Sequence, residues 1–457
     1  MMRRRKESAG GSRDSGLRVV GGTAGARRAL VISPTPVAPL LGGASARIRT
    51  LLAALEALGF EVHFAYIQRD PGDEAAMRRM FGERFHAIPY RHQAAEASLL
   101  RRLGRRLLQA ARIESGWLWG VDDLYDVGVE APIAELQARF SFDVVIVEYV
   151  FFSRVLDVFG PRVRKLVDLH DVFGNRHKLY VQAGQDPHWI SVRPADEVDA
   201  LRRADHVLAI QPDEAALMKQ RGLSCVESVS HIVELVAQPD PVPEEPVALF
   251  VGAANDANAH GLDWFFAKVW PVVLAGCPHA RVHVAGTVSS ACPALPGAHA
   301  EGRVSDERLE ALYRSSRVAI NPVFIGSGQS IKVLEAMGHG VPVVASSVGL
   351  RGIHGAREPG VHLADDPAAF AAAMIRLFTD DEYATQARGA ALAFARRSNA
   401  EQLAALARAC GVDFASSVDV GRHDAPEDDE SGSLDTGTTG ASISSAPRMP
   451  GVAAGGG

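Results

Sequence analysis

Two successive series of short β-branched runs, each alternating with helix-length stretches, are parted by a proline-rich break, and this arrangement constrains the fold more than any other feature. In the first half the runs are ALVIS (29–33), EVHFAYI (61–67), FHAIP (85–89), DVVIVE (143–148), KLVDLH (165–170) and HVLAIQ (206–211). In the second half they are VALFVG (247–252), RVHVAG (281–286), VAINP (318–322), VPVVAS (341–346) and VHLA (361–364). Strands that alternate with helices predict parallel sheets covered on both faces, so the fold class is α/β. ASARIRTLLAALEAL (44–58), ended by Gly59, reads as the first crossover helix. Strand, glycine loop, helix, strand is the opening of a Rossmann-like unit.

The break AQPDPVPEEP (237–246) holds four prolines in ten residues and can continue neither a helix nor a central strand. The expected plan is a basic leader (1–28), an amino-terminal Rossmann-like domain (29–236), a linker (237–246), a carboxy-terminal Rossmann-like domain (247–412) and an acidic tail (413–457). The tail, DAPEDDESGSLDTGTTG, is too poor in large apolar residues to bury a core and reads as disordered. Two such domains bind ligands in the cleft facing the carboxyl ends of their strands.

The formal net charge of the 457 residues is −6. Residues 1–28 hold eight Lys/Arg against two Asp/Glu, while 413–457 hold two Arg against eight Asp/Glu. These ends cancel, so the body itself is acidic, which argues against a nucleic-acid partner and leaves small anions possible. Cys225, Cys277, Cys292 and Cys410 form no CxxC pair, so neither a disulfide framework nor a zinc knuckle is indicated. No apolar stretch resembles a signal peptide or a bilayer span, which points to a cytoplasmic location. Leucines 99, 100, 103, 107 and 108 alternate with arginines 101, 102, 105, 106 and 112 in a basic amphipathic helix. It is either an ordinary domain surface or a peripheral contact with anionic lipid at the inner face of the plasma membrane.

NPVFIGSGQSIKVLEAMGHGVPVVASSVGLRG (321–352) concentrates the chemistry. Gly326, Ser327 and Gly328 make a flexible turn, and Gln329 to Met337 read as a helix start, with Ser330 and Lys332 in its first turn. Free N–H groups at such an end attract phosphate. Lys332 would add a point charge, and Glu335, one turn on, could accept from sugar hydroxyls. In the first half, Gly42 and Gly43 allow close backbone approach to a diphosphate or sugar. Arg47 lies one turn further and could reach phosphate or acceptor. His170 and Asp171 fall at the carboxyl end of a strand, with Arg176 and His177 in the same loop. Asn255 and Asn258 follow the first strand of the second half.

The spacing P-x-x-x-G-x-G-x-x-x-K-x-x-E-A-M-x-x-G-x-P-V-V-A-S resembles the donor segment of GT-B glycosyltransferases, in particular glycosyltransferase family 4. FVGAANDANAHGLDWFFAKVWP (250–271), EGRVSDERLEALYRSSRVAINP (301–322), VDLHDVFGNR (167–176) and LRRADHVLAIQPDEAALM (201–218) are similar to further elements of that family, and the likeness spans about residues 28–410. It implies two Rossmann-like domains facing a central cleft and transfer of a sugar, with retention, from a nucleotide-sugar (UDP- or GDP-) to a saccharide or lipid-linked acceptor in polysaccharide synthesis. It also implies that Glu335 holds the donor ribose, that Gly328 and Lys332 stabilise the diphosphate, and that no metal or other cofactor is needed. His170 is the expected catalytic side chain of the first domain, beside Lys332 and Glu335 of the second. Asp122–Asp123 and Asp365–Asp366 do not make a convincing magnesium pair. Many family members carry a Glu eight residues before Glu335, whereas this chain has Ser327. A non-hydrolysing nucleotide-sugar epimerase and a non-catalytic sugar-binding protein share the architecture and stay open as alternatives.

Overall fold

The computed structural model describes residues 27–414 apart from Leu41, 92–103, 105–106, 110, 112, 183–186, 188–189, 326–328 and 356–357. The first domain's strands are β1 (Arg28–Ser33), β2 (Glu61–Ile67), β3 (Phe85–Ile88), β5 (Val144–Glu148), β6 (Arg164–Asp168), β8 (His206–Ala209) and β9 (Val226–Ser228). A short ladder pairs β4 (Leu118–Trp119) with β7 (Ser191–Val192) beside them. The second domain contributes β10 (Val247–Val251), β11 (Arg281–Ala285), β12 (Ala298–Gly302), β13 (Val318–Asn321), β14 (Val343–Ala345) and β15 (Val361–Leu363).

The first sheet runs β3-β2-β1-β5-β6-β8-β9 and the second β12-β11-β10-β13-β14-β15, with every pairing parallel. Both are the doubly wound order, and each reverses direction once. In the first domain the reversal falls between β1 and β5, in the second between β10 and β13. Connections leave such a pair toward opposite faces, so a crevice opens at its carboxyl ends. The central strands are buried end to end: β5 and β13 have no exposed residue. That is why these strands read as continuous apolar runs instead of alternating.

β9 and β12 were not legible in the sequence, because VES and AHAEG at the sheet edges carry little apolar signal. Strand β6 stops at Asp168, two residues short of the apolar pattern, since Leu169 accepts from the Asp171 N–H and His170 adopts φ 60°. The domain boundaries also differ from the expected ones. Val229 packs in the first domain's core but Val233 already packs in the second's, so the chain crosses before the proline segment. The last helix, Asp381–Cys410, belongs to both domains. Ala391 and Ala395 pack on the second, while Leu403, Leu406 and Cys410 close the first. Half of its buried positions are alanine, which lets it lie close against its neighbours. The expected leader and tail fall outside the described residues save for their inner ends, as does most of the basic stretch at 99–112. Among the described residues no helix is long and apolar enough to cross a membrane.

Candidate active site

The two crevices face each other. Helix Gly43–Ala57 follows β1, and helix Ile331–Gly338 follows β13. A Cβ placed on Gly43 would stand 3.2 Å from Ile331 Cδ1, whereas Gly42 has nothing within 4 Å. The loop after β1 therefore opposes the helix start after β13, and Arg49 reaches Asp306 across the same gap at 3.5 Å.

On the second domain, the helix begins at Ile331, later than expected. Ser330 precedes it without a side-chain cap; its hydroxyl instead accepts from Asn321 Nδ2 at 2.9 Å. Gln329 lies ahead of the helix and acts as an interdomain brace. Its Oε1 accepts from Ser230 Oγ at 2.6 Å, and its Nε2 donates to Gly352 O at 2.9 Å. Ser327 and Gly328 lie outside the described residues. Lys332 donates to Asn258 Oδ1 at 2.8 Å and stands 4.0 Å from the centre of the Phe250 ring. Neither partner is a carboxylate, and burial pushes its ammonium down to about 7. Asn255 caps helix Asp256–Trp264 by accepting from the Asn258 N–H at 2.9 Å, so it orders the Lys332 partner. Burial pushes Glu335 up to about 7, with the charges of Glu234 and Asp306 adding. Across the domain boundary, His231 Nε2 lies 4.0 Å from Glu335 Oε1, and burial drives that histidine down to about 3, so it is neutral.

On the first domain, four ionisable side chains close the carboxyl ends of β5 and β6. Arg47 was read from the sequence as a phosphate or acceptor contact, but it is buried beneath the crevice. Its Nε and Nη2 donate to Asp168 Oδ2 and Oδ1 at 2.7 and 2.6 Å, and Nη2 also donates to Val229 O at 2.8 Å. Burial opposes its charge, but Asp168, Glu148 and Glu214 together raise its hold on the proton. His170 Nε2 lies 2.5 Å from Glu148 Oε2 and 3.7 Å from Asp168 Oδ2. Its ring stacks on Tyr149 with centroids 4.2 Å apart. The following loop is pinned by buried Glu197, which accepts from the N–H groups of Phe173 and Gly174 at 2.7 and 3.0 Å. A Cβ on Gly174 would fall 2.6 Å from that carboxylate, so glycine is required there. Arg176 pairs with Asp171 at 2.8 Å, and His177 meets Ser191 Oγ at 2.7 Å.

The sequence singles out His170 and Arg47 as candidates, the latter in a different role, and does not single out Glu148, Asp168 or His231. The available signal was a carboxylate at the end of an otherwise apolar buried strand, in VVIVE and RKLVD. Glu148, Asp168 and His170 offer ligand atoms within 4.8 Å of one another. However, both Asp168 oxygens already accept from Arg47, and a divalent cation would have to displace or neighbour that guanidinium. This donor set does not fit a metal. The other acidic pairs are committed elsewhere: Asp122 binds Arg203 at 2.7 Å, Asp365 accepts from the Ser347 N–H, and Asp366 caps a helix.

Residues 245–380 match the family model described as Glycosyl transferases group 1. The match covers most of the second domain, within a chain that has the GT-B fold. Sucrose-phosphate synthase from Thermosynechococcus elongatus superposes with a TM-score of 0.56 at 18% identity, covering 82% of this chain and 97% of that one. HepE of Anabaena in complex with UDP-glucose gives 0.54 at 13% identity, covering 83% and 99%. A TarM variant of S. aureus in complex with fondaparinux, α-GlcNAc-glycerol and UDP gives 0.54 at 9% identity, covering 82% and 96%. An uncharacterized 44.6 kDa protein in the cps region of Klebsiella pneumoniae is 30% identical over 134 residues, 27% of this chain. The chain spans about a third (34%) of that relative's length.

Proposed function

We propose that the protein is a retaining glycosyltransferase that moves a sugar from a nucleotide-sugar, UDP- or GDP-linked, to a hydroxyl of a saccharide or lipid-linked acceptor. The observation that carries this reading is the second-domain lip: a helix start without a side-chain cap, whose Ile331 opposes Gly43, followed by Lys332 and Glu335, which among the described residues have no carboxylate and no charged cation as partner respectively. A bound diphosphate would return Lys332 to its charged form and engage the free N–H groups, and ribose hydroxyls would donate to Glu335. Charge that develops on the leaving diphosphate is then met by donors already in place, which lowers the barrier rather than only tightening binding. As the bond from the anomeric carbon to the diphosphate oxygen breaks, the acceptor oxygen bonds to that carbon from the same face. The acceptor proton passes to the departing phosphate oxygen. His170 contacts a sugar hydroxyl from the opposite lip.

The nucleotide and sugars in the HepE and TarM complexes support a nucleotide-sugar donor, and the cps-region relative supports a role in cell-surface polysaccharide synthesis on the cytoplasmic side. The test is to incubate the full chain with a panel of nucleotide-sugars, with and without saccharide and lipid-linked acceptors, and to measure nucleotide release. Acceptor-stimulated release from one donor is expected; neither binding nor turnover of any donor would overturn the reading.

A further inference from the structure

The side chain of Glu148 is fully buried, yet among the described residues only one of its oxygens is engaged: Oε2 meets His170 Nε2 at 2.5 Å, while Oε1 has no hydrogen-bond partner. The backbone around this contact is held in unfavourable conformations. Tyr149 adopts φ 69° and ψ 137°, and His170 adopts φ 60°. Such positions are costly for residues other than glycine and persist where surrounding contacts over-determine them. Here they bring the Tyr149 and His170 rings into a stack tilted by only 14°. The imidazole is thus held flat on one ring and tethered at one nitrogen. Its Nδ1 has no partner among the described residues.

We propose that Glu148 is the positioning residue of the first lip: it fixes Nε2 of His170 so that Nδ1 is the atom presented to a sugar hydroxyl, and the protons shared by the pair set whether Nδ1 donates or accepts. The accounting follows from the contact. When the pair holds two protons, one lies between Oε2 and Nε2, and the other is better placed on Nδ1, where a sugar hydroxyl can accept it, than on Glu148 Oε1, which has no acceptor beside it among the described residues. When it holds one, that proton stays in the short contact and Nδ1 offers a lone pair. The groups facing the pair are Asp168 beside both, Arg47 beside Glu148 through Asp168, and the Tyr149 ring. Arg47 neutralises Asp168 by its two-pronged contact, which leaves Glu148 as the carboxyl whose protonation can change. Burial first, and then the charge of Asp168, pushes Glu148 up to about 7, which puts the change near neutral pH. Above it, Nδ1 accepts the O–H of a hydroxyl; below it, Nδ1 donates to the hydroxyl oxygen.

This inference rests on the transferase reading only for the identity of the hydroxyl, so its test has an arm that needs no substrate. Imidazole ¹⁵N resonances of the histidine-labelled full chain are followed from about pH 5.5 to 9, with His170→Gln used for assignment, in the wild type and in Glu148→Gln. The wild type is expected to show the Nδ1 resonance of His170 changing as the Glu148 carboxyl loses its proton. Because the glutamine amide cannot titrate, Glu148→Gln should move that transition by about one pH unit or more or abolish it, equivalent to an about tenfold change in the proton equilibrium. In turnover, Glu148→Gln should lower acceptor kcat/KM about tenfold at its optimum and flatten its pH profile, with donor KM unchanged. Glu148→Asp keeps the charge but not the reach, and should show the same flattening. An Nδ1 transition at the same pH in wild type and Glu148→Gln overturns the proposal, as does an unchanged acceptor pH profile. A Glu148-dependent transition without turnover of any nucleotide-sugar supports the positioning role and overturns the transferase reading instead.

Discussion

The two lips of the cleft handle buried charge in opposite ways. On the first domain every ionisable group at the ends of β5 and β6 answers another: Arg47 lies on Asp168, and His170 on Glu148. On the second domain Lys332 has an amide and a ring, and Glu335 has a neutral histidine at 4.0 Å and the neutral Tyr313 hydroxyl. Both of these groups are held near neutrality, where a small change of surroundings alters their charge. A lip whose charges are mutually satisfied is rigid before ligand arrives. A lip whose charges are unanswered is completed by an anionic, hydroxyl-rich ligand.

The largest effect should come from breaking the satisfied lip. Asp168→Ala leaves Arg47 buried without its anion, and loss of one member of a buried pair costs about 3–5 kcal/mol. Chemical denaturation should show a loss of that size. Arg47→Met with Asp168→Asn, which removes both charges, should recover most of it. If Asp168→Ala were as stable as the wild type, the ion pair would not be what holds the ends of β5 and β6.

The unanswered lip should respond differently. Glu335→Ala removes a carboxylate that folding has desolvated without a cation, so unfolding stability should hold or rise slightly. Loss of its hydrogen bonds to a ribose would cost about 1.5–3 kcal/mol, an about 10- to 100-fold fall in donor kcat/KM. Unchanged donor kinetics would remove Glu335 from the site. That function and stability separate here, but not at Asp168, is the sharpest form of the contrast.

The same contrast governs what could be read from the sequence. The second lip was legible because its residues are consecutive: Lys332 and Glu335 share one short helix, and the glycine loop and VPVV strand flank it within one segment. The first lip was only half legible. His170 stands out at a strand end, but Glu148 and Asp168 are separated from Arg47 by about a hundred residues or more, and only the parallel register of β5 on β6 sets Glu148 opposite Asp168. Arg47 was misjudged for the same reason. A helix arginine one turn past a glycine loop looks available to phosphate until the strand that supplies its carboxylate is known. The α/β class and the parallel sheets followed from the alternation of elements, whereas strand order, the edge strands and the shared terminal helix depended on packing between distant segments.

The pH dependence of stability should carry the mark of the second lip. Glu335, raised from its ordinary 4.5 to about 7, favours the folded state while protonated, so its contribution is present below pH 4.5 and is lost as pH rises to about 7. Lys332, lowered from 10.5 to about 7, favours the folded state while neutral, so its contribution is present above 10.5 and is lost as pH falls to about 7. Together they place a shallow minimum near neutral pH in the stability profile. Glu335→Gln should reduce the acidic slope, the rest of which belongs to Glu148 and Glu214, also raised to about 7, and Lys332→Met should flatten the basic side, as followed by thermal unfolding; profiles with both slopes unchanged would show that these groups are solvated. Binding of a nucleoside diphosphate should take up a proton above about pH 7 as Lys332 regains its charge, so its affinity should fall as pH rises. Calorimetry in two buffers of different ionisation enthalpy measures that uptake.

The smallest effect should appear where the lips meet. A methyl group on Gly43 would lie 3.2 Å from Ile331 Cδ1, the flexible end of a side chain that can move by a few tenths of an ångström. Gly43 is also the first residue of its helix, where alanine is the better helix former by about 1 kcal/mol. Gly43→Ala should therefore unfold no more easily than the wild type. Its consequence falls on the gap: pushing Ile331 back displaces the start of the helix that presents Lys332, so donor KM should rise by a few-fold while kcat stays within about twofold. Gly43→Val, with two more carbons at the same point, should enlarge the effect in the same direction. If both variants kept the wild-type donor KM, the two lips would not act on one ligand, and the first domain's ordered charges would serve the acceptor alone.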